Sequence, residues 1–207
     1  MNPAPNPRPR TPFLLASAAV ASLALAGIAV QCSSPRPTEP ARAAVADADG
    51  LRAWDVVYGV LQHPRCVNCH PAGNVPLQGE HLQLHAQNVQ RGVDGKGRFD
   101  LKCATCHTAA NTPGAHMPPG APNWHLPTAA MPLVFEGKSK AELCRQMRDR
   151  AQNGDKTPEQ LVEHMTHDPL VLWGWSPGEG RAPVSTPQAA FAQAARTWAA
   201  SGCACPE

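Results

Sequence analysis

The sequence predicts a mainly α, loop-rich single domain whose core is completed by something other than its own side chains. Three observations lead there. Only 5% of the 207 residues are aromatic, a thin supply for a core of this size. Proline occurs 23 times, which keeps regular elements short. The pentapeptide Cys-x-x-Cys-His is written twice, at Cys66–His70 and at Cys103–His107, too close together for two separate domains.

The elements follow in chain order. Residues 1–32 read as a signal peptide or as a membrane or lipid anchor. Arg8 and Arg10 precede the uncharged run from Phe13 to Val30. That run is also long enough to span a bilayer. Cys32 just after it suits a lipid anchor, but Gln31 stands where such an anchor wants a small residue; Ala41-Arg42-Ala43 offers an ordinary cleavage site, and cleaved export ranks first. Residues 33–50, rich in Pro, Ala and Asp and without periodicity, read as a flexible linker. The folded domain is expected over residues 51–207. Leu51, Trp54, Val57, Tyr58 and Leu61 fall at helical spacing, and Pro64 is expected to end that helix at the first motif.

The stretch GEHLQLHAQNVQRG reads as a second helix stopped by Gly92, with His81 and His85 on one face. Residues 111–132 are rich in Pro and Gly and are expected to be irregular. Ser139 and Glu142 have the spacing of a capping box, which opens a helix through Cys144 and Met147. Thr157, Pro158 and Gln160 repeat the device for a helix carrying Leu161, His164 and Met165. A last helix starts near Thr186-Pro187, passes Phe191 and Trp198, and stops at Gly202.

Two readings compete for the paired motifs. Four cysteines can hold zinc, but the gap from Cys69 to Cys103 is well beyond the roughly 15–20 residues usual in such sites. Zinc also has no need of a histidine after the second cysteine of both pairs. Covalent haem needs all three residues. Two thiols add to the vinyl groups on neighbouring pyrroles, and the following imidazole becomes the proximal ligand of the iron. Cys66, Cys69, Cys103 and Cys106 are therefore expected to attach two haem c groups, with His70 and His107 as proximal ligands. Export agrees, because free thiol pairs outside the cytoplasm would otherwise oxidise. In the same oxidising setting, Cys144 is expected to pair with Cys203 or Cys205.

The opposite axial position of each iron decides between carrying electrons and activating a small molecule. His85 and His164 are the favoured distal ligands, with His125 and Met117 in reserve; His116 and Met131 also lie in loops able to fold over a haem edge. His63 is expected to support a propionate or a backbone carbonyl. Arg65, Arg91, Lys96, Arg98 and Lys102 surround the motifs and are candidate partners for propionates. Trp173 and Trp175 either pack inside or present a docking surface, packing being favoured. The formal net charge of +2 falls to about zero without Arg8 and Arg10, which argues against a nucleic-acid partner.

The segments HPRCVNCHPAGNVPLQG, HAQNVQRGVDGKG, CATCHTAANTPG, PPGAPNWHLP and HDPLVLWGWSPGEGR carry a resemblance. The chain resembles a dihaem c-type cytochrome. More narrowly, it is similar to a family of small exported proteins named as accessory subunits of isoquinoline 1-oxidoreductase. The resemblance covers most of residues 51–207. It implies a single dihaem cytochrome c-type domain facing the periplasm, free or membrane-anchored. That domain would transfer electrons from a redox enzyme, of the molybdenum hydroxylase class, to a respiratory acceptor. The alternative is a small dihaem enzyme of peroxidase type with one open iron and an acid or base above it.

Overall fold

The computed structural model describes residues 39–207; the expected signal or anchor and Cys32 lie outside the described residues. Helix is the dominant element, as expected. In chain order these are α1 (Glu39–Leu61), α2 (Pro64–Val67), hairpin strands β1 (Leu77–Gln78) and β2 (Gln83–Leu84), and hairpin strands β3 (Gly97–Arg98) and β4 (Leu101–Lys102). Four helices follow: α3 (Lys140–Arg148), α4 (Pro158–His167), α5 (Pro169–Leu172) and α6 (Gln188–Ala200). Both hairpins are antiparallel, with Leu77 opposite Leu84 and Gly97 opposite Lys102. No helix among the described residues is long and apolar enough to cross a membrane.

The helical core is built where the periodicity placed it. Trp54, Val57, Val60 and Leu61 of α1 are buried against Leu143, Leu161, Phe191, Ala195 and Trp198 of α3, α4 and α6. The Trp54 and Trp198 rings meet at 4.9 Å. The Trp54 indole donates to the Lys140 carbonyl at 3.0 Å, and Tyr58 donates to that of Lys138 at 3.1 Å, so α1 also fixes the entry to α3. Both capping boxes form, at Ser139/Glu142 and at Thr157/Gln160. Residues 111–132 hold no helix or strand, as expected.

Three expectations need correction. Residues 39–50 are not a linker but the first half of α1. They are rich in alanine, the strongest helix former, and Pro40 sits where a first turn tolerates it. Gly50 lets this half approach α6: a β-carbon there would lie 2.0 Å from the Ser201 hydroxyl. Pro64 does not simply end α1; it opens α2, whose N-cap is His63, with Nδ1 accepting the Arg65 N–H at 3.2 Å. The stretch from Gly79 to Gly92 is a hairpin and loop rather than a helix. Leu82 and Asn88 adopt φ of 53° and 52°, a left-handed conformation that no α-helix admits.

Cys144 is bonded to Cys205, with α-carbons 5.6 Å apart, and Cys203 is a buried free thiol. The bridge ties α3 to the tail after α6 across 61 residues. Closing a loop of that length stabilises by about 4 kcal/mol on the chain-entropy estimate. Thermal melts with and without reductant should therefore differ by tens of degrees at most and several at least, whereas Cys203→Ser should leave the reductant effect intact. A reductant-insensitive melt would show that the bridge contributes nothing.

Candidate haem-attachment sites

The two Cys-x-x-Cys-His motifs share one local conformation. In each, the second cysteine's N–H donates to the first cysteine's carbonyl, at 3.1 Å for Cys69 and 3.2 Å for Cys106. The histidine N–H returns to the same carbonyl, at 3.2 Å for His70 and 2.9 Å for His107. This is a single helical turn. It stacks positions i, i+3 and i+4 on one side, which puts two thiols and an imidazole together. The turn at Cys66 belongs to α2; that at Cys103 is a 3-10 turn entered from β4.

The likeness extends to the surroundings. His70 Nδ1 lies 2.7 Å from the Leu133 carbonyl, and His107 Nδ1 lies 2.7 Å from the Pro119 carbonyl. A ring nitrogen donating to a carbonyl fixes the tautomer and leaves Nε2 with its lone pair available to a metal. Each imidazole also stacks on an aromatic ring: His70 on Phe135 at 3.8 Å and 8°, His107 on Trp124 at 4.7 Å and 4°. Sequence reasoning missed both aromatic partners and both carbonyls. Their contacts depend on the chain returning from 63 and 12 residues away, and nothing local marks them.

Burial disfavours the thiolate form at the first motif. Burial, followed by the neighbouring Cys69 thiol, pushes Cys66 up to about 12. Burial, followed by Cys103, pushes Cys69 up to about 11. A catalytic dithiol has its attacking cysteine shifted the other way. The effect of Cys103 on Cys69 also shows that the two motifs are neighbours in space. Cys66, Cys69, Cys103 and Cys106 are all unpaired. Among the described residues no three His, Cys, Asp or Glu side chains converge as a site for a metal ion.

A cavity of about 320 Å³ opens beside the first motif. Cys66, Cys69 and His70 line it together with Val60, Leu61, Leu161 and Phe191 of the helical core, and His125, Met131, His164 and Met165 line it as well. No carboxylate lines it, and Lys156 is the one lysine or arginine in its wall. Burial, opposed by the bond to Leu133 and assisted by the charges of His164, Arg91 and His125, drives His70 down to about 4. A neutral imidazole is what ligation requires. His164 is lowered too, by burial first, while Asp168, 3.1 Å from its Nδ1, pulls the other way. That carboxylate orients the ring as a metal ligand's partner would. His125 is held by the Asn123 carbonyl at 2.5 Å.

At the second motif the structure brings His85 to His107. Their ring centres are 6.1 Å apart and their planes cross at 68°. With metal–nitrogen bonds of about 2 Å, imidazoles facing each other across one metal have centres about 6 Å apart. His85 Nδ1 is buried without a hydrogen-bond partner, and burial, then His107, lowers its pKa. Both rings are thus close enough that one group bound at the second motif could meet them. The helix expected to present His85 is absent; the turn after β2 does so instead, with its N–H donating to the Pro76 carbonyl at 3.0 Å. His81 is exposed. Met117 is exposed and outside the cavity wall, and its carbonyl accepts from Arg181 at 2.6 Å.

The cations divide. Arg65 is buried and paired with Glu80. Arg98 lies 3.4 Å from Asp100 and Lys102 lies 3.9 Å from Asp94, both on the surface. Arg91 is fully buried among backbone carbonyls. Trp173 donates to Asn111 at 2.9 Å and meets Trp124 edge-on at 5.0 Å, and Trp175 donates to the Thr186 carbonyl at 2.7 Å; both pack inward. No family model, curated protein or solved structure matches the chain.

Proposed function

We propose that this chain is an exported dihaem c-type cytochrome that passes electrons between a redox enzyme, of the molybdenum hydroxylase class, and a respiratory acceptor. One observation carries the reading: two Cys-x-x-Cys-His turns of the same conformation, each with its imidazole tethered at Nδ1 and stacked on an aromatic ring. Covalent haem would supply a one-electron couple at each turn. Cys66 and Cys69 would hold one group and Cys103 and Cys106 the other, with His70 and His107 as proximal ligands.

For the distal positions, His85 is assigned to the second site and His164 to the first. His164 is preferred over His125 because a carboxylate orients its ring. A protein ligand on both sides of each iron leaves no position for a small molecule, which favours a carrier over an enzyme of peroxidase type. The side chains then have no proton chemistry to perform. They fix the rings, keep the first site dry and set the potentials.

The test is made on the mature protein. Mass spectrometry under denaturing conditions should give the polypeptide plus two haems, and the pyridine haemochrome spectrum should be that of doubly thioether-linked haem. Low-temperature EPR of the oxidised form should show two low-spin ferric centres. A mass equal to the bare polypeptide would end the proposal. A high-spin centre with peroxide turnover would move it to the enzyme.

A further inference from the structure

Arg91 is the one arginine that is 1% exposed, and no carboxylate lies within ion-pair distance of it among the described residues. A buried charge is costly unless paired and hydrogen-bonded. Arg91 is hydrogen-bonded only to neutral groups. Its two terminal nitrogens donate to the carbonyls of Gly73 at 3.0 Å, Pro132 at 3.2 Å, and Pro71 and Pro127 at 3.4 Å, while Nε has no partner. Glu136, whose carboxylate accepts the Ala72 N–H at 2.7 Å beside the same loops, makes no ion pair with it.

The four acceptors belong to two loops. Pro71 and Gly73 directly follow His70. Pro127 and Pro132 bracket a segment whose Thr128 and Met131 line the cavity, and Leu133, directly after Pro132, lines it too and supplies the carbonyl that holds His70 Nδ1. Arg91 itself does not line the cavity. It stands behind the wall, so the expectation that it pairs with a propionate gives way to a different role. Its donors to the Pro71 and Gly73 carbonyls place its charge next to the chain at His70. At the second site Arg98 and Lys102 are exposed and sit beside carboxylates, and Arg181, which donates to the Met117 carbonyl near His107, is only half-buried.

We infer that Arg91 sets an electrical asymmetry between the two sites: its buried, uncompensated charge makes the His70 site hold an electron more tightly than the His107 site. This rests on the dihaem reading. A fixed positive charge disfavours the oxidised centre, which carries one more unit of positive charge than the reduced one, and low local polarity preserves the effect. Arg91 is a positioning residue as well, since its hydrogen bonds hold the loops that orient His70. The two roles separate by substitution. Arg91→Lys keeps the charge and loses the fork; Arg91→Gln keeps some donors and loses the charge.

The experiment is a redox titration of the haem-loaded protein followed by visible absorption and EPR, with haem counted by mass in each sample. In Arg91→Gln one centre should shift to lower potential while the other stays in place. In Arg91→Lys both should stay close to the parent's, even if the melting temperature falls. Equal shifts in the two variants, or none in loaded Arg91→Gln, would overturn the inference and leave the dihaem reading standing. A parent protein without haem would overturn both. Should Arg91→Gln fail to load, the parent decides: His85→Ala identifies the signals of the His107 site, and if that site is the first to be reduced the inference is wrong.

Discussion

Replacing Cys66 and Cys69 together by alanine is expected to unfold the domain, whereas replacing Cys103 and Cys106 leaves a folded protein with one haem. The difference follows from where the sites lie. The cavity beside Cys66 and His70 shares its walls with α1, α4 and α6 through Val60, Leu61, Leu161, Met165 and Phe191. Left empty, that space would wet Val60, Leu61, Leu161 and Phe191, and exposing an apolar side chain forfeits about 1.5–3 kcal/mol. Several together are of the order of the whole stability of a domain this size. The helices would then collapse inward or lose cooperativity.

The second site has no such claim on the core. Between residues 72 and 132 few hydrophobic side chains are buried: Leu77, Cys103, Ala121 and Leu126. Loss of the second haem should loosen that stretch and spare α1, α3, α4 and α6. Circular dichroism melts and limited proteolysis read the contrast, with haem content taken under denaturing conditions so that a group held only by axial ligands is counted as lost. If the Cys66/Cys69 variant melts within a few degrees of the parent, the first haem is not part of the core and the cavity has another purpose.

That asymmetry was only half legible in the sequence. Low aromatic content predicted a chain short of its own core. The prediction suits residues 72–132, but four helices pack well through Trp54, Phe191 and Trp198. What could be read was local. A capping box is chemistry between residues three apart, so Ser139 with Glu142 and Thr157 with Gln160 announced α3 and α4 correctly. The cysteine left beside α3 needed a partner, and the tail offered two; only the fold selects Cys205, because Cys203 turns into the core at φ 60°.

What failed depended on long returns of the chain. His81 and His85 have the spacing of one helix face, but the backbone at Leu82 and Asn88 turns left-handed and the hairpin wins. His85 was chosen from a helix that does not exist, yet it reaches His107, since a short loop between two motifs has few other places to go. Phe135, Trp124 and the carbonyls of Leu133 and Pro119 left no sequence signal at all. Arg91 gave a misleading one: a cation near the motifs reads as a propionate partner, and nothing local says that four carbonyls will enclose it.

Substitution of His85 by alanine is expected to abolish half of the low-spin ferric signal and replace it with a high-spin one, while haem content stays at two. Attachment needs Cys103 and Cys106, not the distal imidazole, so loading and ligation separate cleanly. His85→Met should restore a low-spin centre at a higher potential, because a thioether favours the reduced iron relative to imidazole. The parent's spectrum should hold steady as pH falls through 6.5, the ordinary histidine value. Burial lowers the His85 pKa, so the imidazole stays neutral there, and its protonation begins only in more acid solution. His164→Ala should act on the other half of the signal and leave the His85-dependent half alone. If His125→Ala does this instead, the Asn123-bound imidazole is the ligand and Asp168 orients a bystander. If none of the three changes a low-spin signal, the 6.1 Å approach of His85 to His107 is ordinary packing, and the second iron takes its sixth ligand from elsewhere. An open iron produced by His85→Ala also tests the enzyme reading from the other side: peroxide turnover that appears only in this variant would mean that the native distal imidazole is there to prevent it.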